Sequence, residues 1–157
     1  MNHSPDIVSP PKRSEMMARV GQKDTPPELA VRSILTSLGL RYRVRNRDLP
    51  GSPDIANRSR RWAVFVNGCF WHGHKNCPRT KPEAGFRVPA KNSSFWREKF
   101  IRNRVRDARA IRALRARGFV VALVWECELK SPHTVADHLE RLILPSYQPS
   151  SKTEGAS

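Results

Sequence analysis

The segment Gly68 to Cys77 reads Gly-Cys-Phe-Trp-His-Gly-His-Lys-Asn-Cys, placing two thiols and two imidazoles in one short loop with Phe70 and Trp71 among them. The remaining cysteine, Cys127, lies far downstream at the end of an apolar run. Cys69, His74, Cys77 and Cys127 together offer three sulfurs and one nitrogen, a soft tetrahedral donor set suited to structural zinc. A staple of this kind requires the fold to return residue 127 to residue 69. The competing reading is three unconnected, reduced cysteines. His72 is surplus to the set, and is either a fifth candidate ligand or a group with chemistry of its own.

A chain of 157 residues is long enough for one domain with a sizeable core. Its 29 Lys+Arg against 14 Asp+Glu give a net charge of +15, with the basic residues distributed along the chain rather than gathered in a tail. A domain this basic points to a polyanionic partner, nucleic acid first, against the plainer reading of a well-solvated surface. No apolar stretch approaches the roughly 20 residues that span a bilayer, which argues against an integral membrane protein. The polar, proline-rich start from Met1 to Pro11 lacks the apolar core of an export signal. Two close thiols beside histidine in an odd set of three argue for metal in a reducing compartment rather than for a disulfide. A cytoplasmic location is the expectation.

Three segments are expected along the chain: a flexible N-terminal arm over 1–13, a single domain over 14–145 and a disordered polar tail over 146–157. Thr25-Pro26-Pro27-Glu28 reads as a helix start, with Thr25 as N-cap, Pro26 at the first position and Glu28 closing a capping box. The pattern turns Leu29, Ile34, Leu35 and Leu38 inward and stops at Gly39. Leu40 to Arg45 alternates as a half-exposed strand. The turn Leu49-Pro50-Gly51-Ser52-Pro53 delivers Asp54 to a second strand, and Trp62 to Val66 is a continuous apolar strand suited to the sheet centre. A loop from Gly68 to about Asn92 is long enough to need a function or a staple. A basic helix follows from Ser93 or Ser94 to about Arg117, with Phe100, Ala108, Ile111 and Leu114 inward; Arg102, Arg104, Arg106, Arg109, Arg112, Arg115 and Arg117 form its solvated, phosphate-facing surface. Phe119 to Trp125 is a further strand, and Thr134 to Leu144 a last amphipathic helix. The order predicts an α/β fold: a mixed central sheet, built from a meander and a helical crossover and flanked by helices on both faces.

Pro53-Asp54 ahead of a strand resembles the first half of a Pro-Asp…(Asp/Glu)-x-Lys nuclease core, in which the aspartate holds magnesium against a scissile phosphate. Magnesium prefers hard oxygen ligands and binds through one or two carboxylates plus the substrate's phosphates. The acidic-x-lysine half is missing from the next strand, which offers Val64-Phe65-Val66-Asn67 instead. Another group must then activate water, and His72 titrates near neutrality a few residues on.

At this point several blocks carry a specific resemblance. Met17-Ala18-Arg19, Thr25-x-x-Glu28, Leu49 to Asp54, Val64 to His74, Phe95-Trp96-x-x-Lys99-x-x-x-Asn103-x-x-x-Asp107 and Val124-Trp125-Glu126-Cys127 resemble, in order, the very-short-patch repair (Vsr) DNA mismatch endonucleases. The similarity runs from roughly Arg13 to Leu144. It implies a restriction-endonuclease-like core with structural zinc and catalytic magnesium. The implied activity is nicking one strand 5′ to the thymine of a T·G mispair, the lesion left when 5-methylcytosine deaminates. The resemblance further implies Asp54 and the Val66 backbone carbonyl as magnesium ligands, His72 as general base, Glu28 as its supporting carboxylate, and Cys69, His74, Cys77 and Cys127 as zinc ligands. Phe70, Trp71 and Trp96 match aromatics that wedge into the base stack, Met17 enters from the opposite groove, and Lys99 and Asn103 are groove-contact candidates. Implied partners are T·G-mismatched duplex DNA and mismatch-repair proteins, with a monomeric enzyme close to the bacterial nucleoid.

The chain departs from the family pattern at Asn67, where better-known members carry a second active-site histidine. Asparagine can hydrogen-bond a phosphate oxygen but cannot carry charge, and Asp107, matching that histidine's partner, is left to bond an amide. Plainer readings stand beside these: Glu28 fits a capping box without catalysis, and Phe70 and Trp71 fit a core beneath the loop. Two other activities remain open, a non-catalytic zinc-bearing nucleic-acid-binding module and a mismatch nuclease of broader specificity on the same fold.

Overall fold

The computed structural model describes residues 24–69, His74, Cys77 and residues 93–146. The expected arm, the C-terminal tail and most of the long loop lie outside the described residues, as do Met17, Phe70, Trp71 and His72. Helix α1 spans Pro26–Ser37 and is followed by strands β1 (Arg43–Val44), β2 (Ile55–Asn57) and β3 (Trp62–Asn67). Helix α2 (Ser93–Ala116), strand β4 (Val120–Trp125), a 3₁₀ turn (Glu126–Lys130), helix α3 (Pro132–Ile143) and a last 3₁₀ turn (Leu144–Ser146) complete the order.

The sheet runs β1-β2-β3-β4. The first two pairings are antiparallel, with Ile55 opposite Val64, and the third is parallel, with Val66 opposite Val124 and Asn67 opposite Trp125. The predicted meander followed by a helical crossover is thus what forms, with β3 inside the sheet. Alternation along the strands divides the core in two. Ile55, Trp62, Val64, Ala122 and Val124 pack on one face against Val31 and Leu35 of α1 and Val135, Leu139 and Ile143 of α3. Ala56 and Ala63 face the other way, onto Leu49 and Leu114 of α2. Helices therefore cover both faces. No helix among the described residues is long and apolar enough to cross a membrane.

Several expected details change. Leu29 is half exposed, and Val31 holds the inward position in α1. The two lie about 160° apart around a helix, so only one can face the core; the buried Glu28 carboxylate takes the turn before Val31. Thr25 precedes the helix but makes no side-chain cap. Glu28 instead accepts the backbone N–H of Asp24 at 3.0 Å. In α2, Ala108 is exposed and Ala110 is buried, because Ala110 lies against Gly51, where any added Cβ would collide with its methyl. The first strand shortens to Arg43–Val44: Leu40–Tyr42 lie outside the ladder, and Arg45 turns left-handed at φ 61° and ends it.

Both α1 and α2 end as their glycines predict. Gly39 adopts φ 71°, and the N–H groups of Gly39 and Leu40 cap the carbonyls of Thr36 and Leu35. Gly118 at φ 80° repeats the motif, with Phe119 returning to Leu114. The second cap turns the chain directly into β4.

Candidate active site and metal centre

Asp54 stands one residue before β2, at the level where antiparallel pairing with β3 stops. Its carboxylate takes the place of a missing strand partner: Oδ2 accepts the Val66 N–H at 2.7 Å. Within an extended strand the N–H and C=O of one residue point toward the same neighbour. The Val66 carbonyl therefore faces the side on which the Asp54 carboxylate sits. The turn before Asp54 is held at both ends. Gly51 adopts φ 71° against Ala110, and Asn46, almost fully buried, donates its Nδ2 to the carbonyls of Arg43 at 3.0 Å and Pro53 at 3.1 Å.

A cavity of about 380 Å³ opens beside this carboxylate, with Glu28 and Arg32 of α1 on one wall and Arg45, Asn46 and Arg47 on another. Arg32 reaches Asp24 at 2.7 Å and Glu28 at 3.5 Å, so it braces Glu28 inside the cavity. Burial pushes the Asp54 carboxyl up from 3.8 to about 6. The Val66 N–H opposes that rise, the negative charge of Glu28 adds to it, and Arg32 offsets part of it. Two carboxylates sharing a cavity repel each other, and a divalent cation between them relieves both the repulsion and the desolvation.

From Val66 the chain runs through Asn67 and Gly68 to the second centre. The donor atoms of Cys69, His74, Cys77 and Cys127 all lie within 4.8 Å of one another. Cys127 Sγ is 3.5 Å from His74 Nδ1, and the His74 N–H donates to the Cys69 carbonyl at 3.1 Å. The His74 ring stacks on Trp125, with centroids 3.9 Å apart and planes within 3°. Burial pushes the Cys69 thiol up to about 12, raises Cys127 as well and lowers His74. Each of these shifts favours the uncharged form of its group, and a soft dication would draw the protons from the thiols. The four residues picked from sequence are brought together and could hold a metal ion. Both centres lie where β3 and β4 end side by side, the edge of a parallel pair at which ligands bind.

Asn67 ends β3 with 6% of its surface exposed. Trp96, Lys99, Asn103 and Asp107 lie in one half-buried row along α2, as their three- and four-residue spacing requires. Lys99 Nζ stands 5.2 Å from the Trp96 ring centroid, and Asp107 approaches Arg106 at 3.5 Å. Arg32, Arg45, Asn46 and Arg47 were not picked out by sequence reading. The four-residue step from Glu28 to Arg32 was visible as an ion-pair spacing, whereas nothing local marks Asn46.

A cavity holding the Asp54 and Glu28 carboxylates and a Cys/His cluster able to hold a metal lie at adjoining strand ends of a basic α/β domain, an arrangement suited to an enzyme that acts on a polyanion. The comparisons with known proteins agree on the family. The family profile described as "DNA mismatch endonuclease Vsr" matches residues 5–79. The chain is 43% identical to the type II nicking enzyme V.XorIIP of Xanthomonas oryzae, over 90% of this chain and 98% of that one. It is 38% identical to the type II nicking enzyme V.NmeAIP of Neisseria meningitidis, over 88% and 94%. It is also 38% identical to the DNA mismatch endonuclease Vsr of Escherichia coli, over 84% and 80%. The chain belongs to the DNA mismatch endonuclease Vsr family.

Proposed function

We propose that this protein is a magnesium-dependent endonuclease that nicks one strand of duplex DNA 5′ to the thymine of a T·G mismatch. The observation that carries the reading is the Asp54 carboxylate, tied to Val66 and sharing a cavity with Glu28 at the carboxyl end of a parallel strand pair. The curated relatives are named as nicking enzymes and as a mismatch endonuclease. The sheet order and the aspartate at a strand start support a restriction-endonuclease-like core.

The residues divide the work. Asp54 and the Val66 carbonyl are suited to hold magnesium, which when bound supplies positive charge against the phosphate and the departing 3′ oxygen. His72, as general base, accepts a proton from the attacking water, and Glu28 orients it. Phosphorus gains the water oxygen and loses the 3′ oxygen, leaving a 5′-phosphate and a 3′-hydroxyl. Asn67 donates its amide to a phosphate oxygen or to Asp107, where a histidine would carry charge. Zinc fits the Cys69, His74, Cys77 and Cys127 donors, and it would close the loop that carries His72, Phe70 and Trp71. Phe70, Trp71 and Trp96 are the wedge residues with Met17 entering from the opposite groove, and Lys99 and Asn103 make contact along α2. Opening a stacked step costs a few kcal/mol, and a wobble pair yields more readily than a Watson–Crick pair.

A nicking assay on T·G, G·G, A·C and matched duplexes, without and then with magnesium, tests this. T·G-selective, magnesium-dependent nicking at the thymine is the expected result. Salt-sensitive binding with no product would leave a non-catalytic module, and nicking of every mismatch would leave a broader nuclease.

A further inference from the structure

Three arginines line the cavity beside Asp54, and they differ in how they are engaged. Arg32 is held by Asp24 and Glu28. On the neighbouring turn, Arg43 and Arg58 both pair with Asp48. Arg45 and Arg47, by contrast, are exposed and form no ion pair with any described residue. Between them sits Asn46, buried to 1% and bonded to Pro53, the residue before Asp54. Two solvated guanidinium groups are thus tied through one buried side chain to the carboxylate of the candidate reaction centre. Arg45 holds φ 61°, a left-handed conformation uncommon for a non-glycine residue, so the tertiary structure holds its backbone there.

We propose that Arg45 and Arg47 clamp a DNA backbone phosphate next to the scissile one, with Asn46 setting the clamp's distance from Asp54. The proposal rests on duplex DNA being the substrate, as above. Guanidinium groups bind phosphate through paired N–H donors and carry full charge at every working pH. They line the same cavity as the carboxylates of Asp24, Glu28 and Asp54, which would otherwise repel a polyanion. Such contacts set register along the duplex and carry no base information. The α2 arginines then supply long-range attraction, while this pair aligns the strand over Asp54.

The test is binding of a fluorescently labelled T·G duplex by the full-length protein in magnesium-free buffer across a potassium chloride series. Each arginine that neutralises a phosphate contributes about one to the slope of log affinity against log salt. Arg45→Ala and Arg47→Ala should each flatten the slope by about one, and the double variant by about two, equally on T·G and matched duplexes. Arg45→Lys and Arg47→Lys should keep the slope. Arg45→Gly removes the charge while suiting the left-handed backbone, so it should flatten the slope with no fall in melting temperature. Arg141→Ala, an equal change in net charge on α3, should leave the slope alone. A double variant with the parent's slope, or a loss matched by Arg141→Ala, overturns the clamp. T·G nicking by the parent together with unchanged slopes sinks the clamp alone, whereas absence of DNA binding by the parent sinks the clamp and the proposed function together.

Discussion

Asp54→Asn should make this protein more stable and inactive at once. Burial lifts the Asp54 carboxyl from 3.8 to about 6, so the folded chain holds that proton more tightly than the unfolded chain. The folded state therefore binds more protons between those two values, and stability falls as pH rises through that window. Above about pH 6 the full cost of the buried charge is present. At 1.36 kcal/mol per tenfold change in proton affinity, that cost is about 3 kcal/mol at neutral pH. Asparagine removes the charge, and its Oδ1 can still accept the Val66 N–H that now bonds Asp54. The variant should gain about 1–3 kcal/mol at pH 7.5, with each kcal/mol raising the melting temperature by roughly 2–4 °C in a chain of this size. The gain should shrink to about 0.5 kcal/mol near pH 4, where the folded carboxyl is protonated. Urea unfolding in magnesium-free buffer without chelator, with parent and variant compared at each pH so that the state of the Cys/His cluster is common to both, reads this. Magnesium should then stabilise the parent but not the variant, and the variant should fail to nick. A variant no more stable than the parent at pH 7.5, or an advantage that persists undiminished at pH 4, refutes the claim that Asp54 is held as a costly buried charge.

Other perturbations test separate parts. His72→Ala should lose most nicking activity, on the order of 10²-fold or more, while a mobility-shift assay shows mismatch binding retained; parallel loss of both would make it a structural residue. Cys127→Ser should abolish stoichiometric zinc in elemental analysis and lower stability by several kcal/mol, because one donor of a folding-linked site is gone; full metal content in this variant would remove Cys127 from the ligand set. Gly51→Ala should cost about 1–3 kcal/mol through collision with Ala110 and should lower kcat by displacing Asp54, a pairing that denaturation and single-turnover nicking measure together.

Local chemistry wrote most of the scaffold. Proline at 26 and glycines at 39 and 118 bound two helices, because proline's ring fixes φ near −65° and glycine takes φ above zero without a Cβ clash. Continuous apolar runs marked β3 and β4, and soft donors three to five residues apart marked a candidate metal loop. Other features depended on chain segments far apart in sequence. Leu29 and Ala108 are apolar yet exposed, since which arc of a helix is covered depends on what lies across from it. Cys127 joins Cys69 only because β3 and β4 end side by side. The proton affinity of Asp54 and the cavity that Arg45 and Arg47 border arise where β2 stops short of β3 and α1 closes over the gap. Hydrophobic period and turn stereochemistry act over a few bonds and can be read from neighbours. Desolvation and charge act through space, and they take their values only after distant segments have met.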